Sequence, residues 1–203
     1  MKKIMVLIIL PLMTNCLTFR KNELAKYPSP VSVTTPVAKK LTYKLDFTSD
    51  AIVNGNNDKH EPVFVDERKK QLDAVIEETG LLIPASDANG EYTIRYYIKE
   101  VSSANQGVAF LFGFTGGLIP MYIGTELNSE LEVKNKAGKT LGKIERKESF
   151  SMWGQLLFIF VAPFQRPLGK IEDIYRDQMR SSFEEAIAKK YFGNYAVNPQ
   201  PNE

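Results

Sequence analysis

The segment that most narrows the fold is Glu91–Val101, where apolar and polar residues alternate with a period of two. Tyr92, Ile94, Tyr96 and Ile98 fall on one side, and Thr93, Arg95, Tyr97 and Lys99 on the other. A helix would scatter these residues around its axis; a strand in a sheet with one covered face sorts them this way. The chain must therefore supply partner strands and an apolar cover. Leu41, Tyr43, Leu45 and Phe47 alternate in the same way and predict a strand over 41–47. Glu126–Lys134 and Thr140–Phe150 flank the turn-forming Asn135–Lys139 and predict a hairpin, with Leu127, Leu131 and Val133 on one face. Its second strand alternates less cleanly, and Gly142 reads as a bulge.

Two segments carry a helical period and can provide the cover. From Asp66, as N-cap, a helix is expected to run to Thr79, with Lys69, Leu72, Val75, Ile76 and Thr79 on one stripe and Gly80 as its stop. Leu81–Ile83 then returns to the core. A longer helix is expected over 168–192, with Ile171, Ile174, Tyr175, Gln178, Phe183, Ile187 and Tyr191 on one side, Pro167 at its start and Gly193 at its end. Asn54–Asp58 reads as a polar loop. The element order β-α-β-β-β-α predicts an α+β two-layer sandwich, with a mainly antiparallel four-stranded sheet and two helices on one face. With 203 residues and 43% hydrophobic content, one domain over 41–192 has room for a core.

Ahead of that domain, Lys2 and Lys3 precede an apolar run, Ile4–Met13, that is too short to span a bilayer and reads as an export signal over residues 1–15. The chain's single cysteine, Cys16, follows at once. Met13-Thr14-Asn15-Cys16 resembles the lipobox of bacterial lipoproteins in its permissive, spirochaete-type form. That resemblance implies cleavage between Asn15 and Cys16 and lipidation of Cys16. The acyl chains would then anchor the protein to a membrane, each buried CH₂ contributing ~0.8 kcal/mol. Leu17, in place of an Asp after the cysteine, leans the expected destination towards the outer membrane. Residues 16–40, with Pro28, Pro30 and Pro36, read as the lipidated cysteine and a semi-extended tether reaching roughly 70 Å at ~3 Å per residue. Residues 193–203, with Pro199 and Pro201, read as a disordered tail.

Lipobox, tether and a β-α-β-β-β-α domain ending in a long helix resemble, in element order over about residues 41–192, the lipopolysaccharide-assembly lipoprotein and the N-terminal domain of the Tol-system translocation protein. The resemblance implies a non-enzymatic partner of envelope machinery and assigns no site residue.

Two stretches without charge need a reason. One is Val101–Thr125, containing Phe110, Leu111, Phe112, Phe114, Leu118 and Ile119. The other is Ser149–Gln165, containing Trp153, Leu156, Leu157 and Phe158. They flank the hairpin almost symmetrically, so antiparallel pairing brings them to the same end of the domain. Three arrangements fit: a plug packed against the helices, an exposed apolar lobe that contacts a membrane, an outer-membrane protein or a second copy, and the lining of a lipid cavity. Gly113 and Gly117 make a weak GxxxG spacing.

Catalytic and metal chemistry is not legible. One cysteine and one histidine exclude Cys/His zinc sites, CxxC redox pairs and an intrachain disulfide. His60 is expected in the polar loop, and Asp87–Glu91 reads as a turn and not a calcium loop. Glu77-Glu78 and Glu184-Glu185 are adjacent on helices and so diverge by about 100°. Twenty-six basic and 24 acidic residues are close to balance, with no basic stripe for nucleic acid. Removing residues 1–15 takes away Lys2 and Lys3 and makes the two counts equal. The expectation is an exported, lipid-anchored interaction module at the outer membrane, without cofactor or metal. The alternative is a lipid or small-molecule carrier.

Overall fold

The computed structural model describes residues 16–21, 40–54, 56–60, 64–86, 90–155 and 167–194. The expected export signal with Asn15, most of the expected tether, Asp87–Asn89 of the expected turn, Leu156, Leu157, Phe158 and residues 195–203 lie outside them.

The described chain forms β1 (Cys16–Arg20), β2 (Leu41–Val53), β3 (Asn56–His60), α1 (Val65–Glu78), β4 (Leu82–Pro84), β5 (Tyr92–Ala104), α2 (Gln106–Phe114), β6 (Met121–Asn135), β7 (Thr140–Gly154) and α3 (Pro167–Ala188). One mixed sheet runs β1-β7-β6-β5-β2-β3, and β4 shares the outer edge of β2 with β3. The α+β class and the two long helices on one face hold. The sheet is mainly antiparallel as expected, but it has seven strands and not four, and it contains parallel β2–β5 and β2–β4 pairs. The cause of the parallel pairing is α1: a helical crossover between β2 and β5 returns the chain to the starting end of the sheet, which a tight turn cannot do.

Sorting of residues on the strands follows the period-two pattern. Ile94, Tyr96 and Ile98 of β5, and Leu127, Leu131 and Val133 of β6, are buried beneath α1 and α3. From the helices come Leu72, Val75 and Ile76 of α1 and Ile174, Tyr175, Met179, Phe183 and Ile187 of α3. The opposite face of the sheet carries ion pairs, among them Lys143 with Glu130 (2.9 Å) and Glu145 (2.8 Å), Arg95 with Asp46 (3.1 Å), and Lys147 with Glu126 (3.3 Å).

The β6–β7 hairpin turns at Gly138 (φ +78°), where a residue without Cβ is favoured, and Asn135 Oδ1 accepts from Lys139 N. Its register shifts between Val133↔Gly142 and Lys134↔Thr140, leaving Leu141 as the extra residue beside Gly142. The Tyr191 ring lies over Gly142, at a place a Cβ would fill.

Several boundaries move. The N-cap of α1 is Phe64, in the left-handed region, and not Asp66, which instead places its charge in the first turn. Gly80 ends α1 as expected (φ +67°). The final helix stops at Ala188, short of Gly193: Lys190 turns left-handed (φ +61°), Tyr191 N bonds Ala186 O, and Phe192 folds back edge-on to Tyr92. In the expected polar loop, Asn54 (φ +53°) starts a turn and β3 returns along β2, with His60 opposite Ala51.

The largest correction concerns the tether. Cys16–Arg20 is an edge strand paired antiparallel with β7, in register from Cys16↔Gly154 to Arg20↔Phe150. The Pro-containing stretch therefore does not separate Cys16 from the domain. Residues 21–40 connect β1 at one edge to the start of β2, four strand spacings (~19 Å) across the sheet and, because Arg20 is level with Val53 at the far end of β2, roughly 40 Å along it. The ~70 Å reach from Cys16 is withdrawn.

Candidate functional site: an apolar sheet end beside Cys16

Four chain directions converge on one end of the sheet. β5 finishes there at Ala104, β6 starts at Met121, β7 finishes at Gly154 and β1 starts at Cys16. The register sets Leu17 opposite Trp153 and Trp153 opposite Tyr122. Directly opposed residues of a ladder share a face, so these three side chains leave the sheet on the same side, away from α1 and α3, and Phe19 follows two positions along β1. The Tyr122 and Trp153 rings meet edge to face at 5.0 Å. On this face the ion pairs near the hairpin turn thus give way to aromatics near Cys16.

Helix α2 caps the same end. Asn105 Oδ1 accepts from Val108 N (3.1 Å), a conventional N-cap, while Asn54 Oδ1 accepts from Ala104 N (2.7 Å) and fixes the strand that leads into the helix. Thr115 closes it by donating to Leu111 O (2.7 Å) and accepting from Ile119 N (3.2 Å). Gly116 and Gly117 then take positive φ, and Gly117 N bonds Phe112 O (2.7 Å). These bonds at both ends define the geometry of α2, yet no residue of α2 is buried. Phe110 and Phe114, one turn apart, stack at 6.2 Å and are 71% and 80% exposed; Leu118 is 61% exposed. Leu111, Tyr122, Trp153 and Phe19 are also exposed, and Phe112 and Ile119 are half-buried.

The described part of the two charge-free stretches is thus mostly strand (101–104, 121–125 and 149–154) and an exposed helix, not a packed plug. Gly117 lies beyond the end of α2, so Gly113 and Gly117 form no helical seam. Leu17, Phe19 and Tyr122 belong to this apolar end although the sequence reading did not include them. The available signal was the alternation Leu17, Phe19 directly after Cys16.

Fully burying one large apolar side chain is worth about 1.5–3 kcal/mol. An end that leaves this many in water is suited to contact with another apolar surface.

Beneath the open face, β1 is tied down by charge. Thr18 and Arg20 point to the helix side of the sheet, and Arg20 bonds both Glu148 of β7 and Asp177 of α3. The Glu148 side chain is fully buried, and those of Arg20 and Asp177 are each 11% exposed. Burial works against the Arg20 charge, but the bonds to Asp177 and Glu148 outweigh it and hold the guanidinium above its ordinary pKa. The polar seam continues along α3. Gln178 Nε2 donates to Leu127 O (3.0 Å), Arg146 Nε donates to Ser181 Oγ (2.7 Å), and Arg146 also pairs with Glu185, whose carboxyl is lowered by hydrogen bonds from Lys189 and Arg146. Tyr175 donates to Glu100 Oε2 (2.5 Å) under the Arg68 guanidinium; burial and the Glu100 charge raise its phenol well above the ordinary value.

Two clefts among the described residues are charged, and neither is lined by α2, Tyr122 or Trp153. One of about 420 Å³ is lined by Lys99, Glu130, Glu145 and Lys147, and one of about 300 Å³ by Lys70, Glu172, Asp173 and Arg176. Among the described residues there is no cluster of three metal-ligating side chains, and no helix is long and apolar enough to cross a membrane.

No protein-family model and no curated protein matches this chain. Among solved structures it is similar to a minor lipoprotein from Acinetobacter baumannii, at 12% identity and a TM-score of 0.41, covering 78% of this chain and 97% of that one. A DUF330 family protein from Xanthomonas campestris aligns at 9% identity and a TM-score of 0.38, over 81% and 94% of the two chains. A neuraminyllactose-binding hemagglutinin homolog from Helicobacter pylori aligns at 10% identity and a TM-score of 0.45, over 85% and 94%. Likeness at this level places the chain in no family, and no function is taken from it.

Proposed function

We propose that this chain is an exported lipoprotein, lipid-anchored through Cys16, that serves as a non-enzymatic assembly or interaction module at the outer membrane. One observation carries the reading: the backbone of Cys16 is part of the sheet, and it lies at the end where Phe110, Phe114, Leu118, Tyr122 and Trp153 are exposed. An anchor at one end of a domain and an apolar contact surface at the other would leave the surface free to search. With both at the same end, anchoring and contact act together. The lipobox-like Met13–Cys16 and the preceding apolar run support export and acylation.

Radiolabelled palmitate fed to cells expressing the full chain tests the anchor. Label is expected in the wild type and absent from Cys16→Ala, and equal labelling of the two would sink the lipobox reading. Crosslinking in intact cells followed by pull-down then tests the interaction role. The expected result is envelope proteins captured by the wild type and lost when Phe110 and Phe114 are replaced by Ser. Capture that is indifferent to both the anchor and the apolar end would refute that role.

A further inference from the structure

We infer that the occupant of the apolar end is the lipid bilayer itself: α2, Tyr122 and Trp153 seat in the interface of the membrane that holds residue 16, and the sheet stands end-on to it. The inference deepens the proposed function, resting on its placement of the N-terminus at a membrane, and commits the apolar end to lipid; capture of envelope proteins then depends on Phe110 and Phe114 through the orientation that the seat gives the domain, and not through direct protein contact.

Three observations select lipid. The first is continuity. Leu17 is the residue after Cys16 and faces Trp153 across the β1–β7 ladder, so the ring lies one strand spacing, ~5 Å, from the residue adjoining the attachment point. The second is the absence of slack. β1 is held over all five residues by β7 and by Arg20 between Glu148 and Asp177, so a membrane attached at residue 16 meets the domain at this end and no other. This holds whether residue 16 carries acyl chains or the apolar run Ile4–Met13 stays attached and enters the bilayer. The third is chemistry. Val101–Thr125 brings no charge into the contact region, a Tyr–Trp pair lies at its edge, and ion pairs begin further along the same face at Glu126 and Lys147. Apolar side chains within, amphipathic rings at the boundary and charges beyond is the order a water–lipid interface imposes. A nine-residue helix is too short to span and is suited to lie in the interface plane.

Trp153 is the only tryptophan of the chain and so reports this seat directly. Full-length protein expressed with palmitate label is extracted from membranes. It is then reconstituted into phosphatidylethanolamine–phosphatidylglycerol vesicles, with or without phosphatidylcholine brominated on its acyl chains. Trp153 emission is expected to shift to the blue on reconstitution and to be quenched by the bromines. In a Trp153→Phe/Phe114→Trp chain the reporter moves to α2 and is expected to be quenched as well. Water-exposed, unquenched emission from both reporters overturns the inference. A blue shift without quenching overturns it too, since it means that a second copy of the chain covers the patch. Quenching of Trp153 with none at position 114 removes α2 from the seat and overturns the inference as stated. The palmitate label separates the two readings: labelled but unquenched protein refutes the seat and leaves the anchor standing. Unlabelled protein refutes the acyl anchor, while quenching still tests the seat through Ile4–Met13. Phe110→Ser/Phe114→Ser alters two exposed positions, so an unchanged circular dichroism spectrum with Trp153 quenching lost is the expected control.

Discussion

Arg20→Met tests the clamp that denies β1 any slack. The substitution keeps much of the stem's volume and removes the cation between Glu148, whose side chain is fully buried, and Asp177, at 11% exposure. Two carboxylates then face each other at the contact of β1, β7 and α3, where solvent screens them little. Breaking a buried ion pair from one side costs about 3–5 kcal/mol, a large share of the 5–15 kcal/mol that holds a domain folded. The chain has one cheaper response, which is to peel β1 from β7 and hydrate the carboxylates. The expected loss is therefore the smaller of the two costs. Urea unfolding followed by circular dichroism reads the first, and hydrogen exchange of the β7 amides over 150–154 reads the second. The sign of the pH effect follows from the charge left behind. Protonation of a carboxylate relieves the repulsion, so the gap between variant and wild type narrows as pH falls. Adding Glu148→Gln and Asp177→Asn to Arg20→Met is expected to recover most of the loss, because a neutral polar cluster has no net charge to desolvate. A loss below about 1 kcal/mol with unchanged exchange over 150–154 would show that the triad is not a clamp.

Burial raises the Tyr43 and Tyr96 phenols to about 12, the Asp73 charge adding to the effect at Tyr43. Their neutral forms are favoured in the folded state, so this stability is complete below the unfolded value near 10 and is lost as pH rises from about 10 to about 12. For Tyr96 alone that is about 2–3 kcal/mol, and a urea midpoint that stays constant across this window would contradict it. Gly142→Ala puts a Cβ into the Tyr191 ring and is expected to cost about 1–3 kcal/mol; in a Tyr191→Ala background the same change should cost much less. Gln178→Leu leaves a buried carbonyl at Leu127 without its side-chain donor and is expected to cost about 1–2 kcal/mol, read as a lower melting temperature. An unchanged melting temperature would mean that the backbone ladder already satisfies that oxygen.

Legibility in the sequence tracked how far each segment's burial followed a single period. β5 and β6 were readable because each has one apolar face and one charged face. β7 was blurred for a reason now visible: its helix-side positions 144, 146, 148 and 150 hold Ile, Arg, Glu and Phe, since Arg146 and Glu148 bond α3 and β1 instead of packing in an apolar layer. The same polar seam explains Gln178 on the inner stripe of α3. β1 was unreadable because five residues following the apolar run Ile4–Met13 carry only one cycle of alternation, and the strand it pairs with is more than a hundred residues away. The parallel pairing of β2 with β5 depends on a crossover, which no local pattern encodes. α2 escaped because it is apolar on all sides, and so has no period to detect.

Those two missed elements change what Cys16 means. A lipidated cysteine on a long tether would say only that a domain drifts near a membrane, and its apolar lobe would need a partner to hide it. With Cys16 backbone-paired to Gly154, the proposed attachment point is part of the sheet's frame. An anchor at residue 16 would then fix the direction of the domain, to within the freedom of a single residue. A strand held through Arg20, whose side chain is 11% exposed, is a costly way to place residue 16 if that residue only needs to be somewhere near lipid. It is economical if orientation is the property being held. In the membrane seat inferred above, the aromatics at that end would gain contact with lipid only while β1 stays docked, so the ion triad and the exposed apolar end would serve one arrangement from opposite faces of the same sheet.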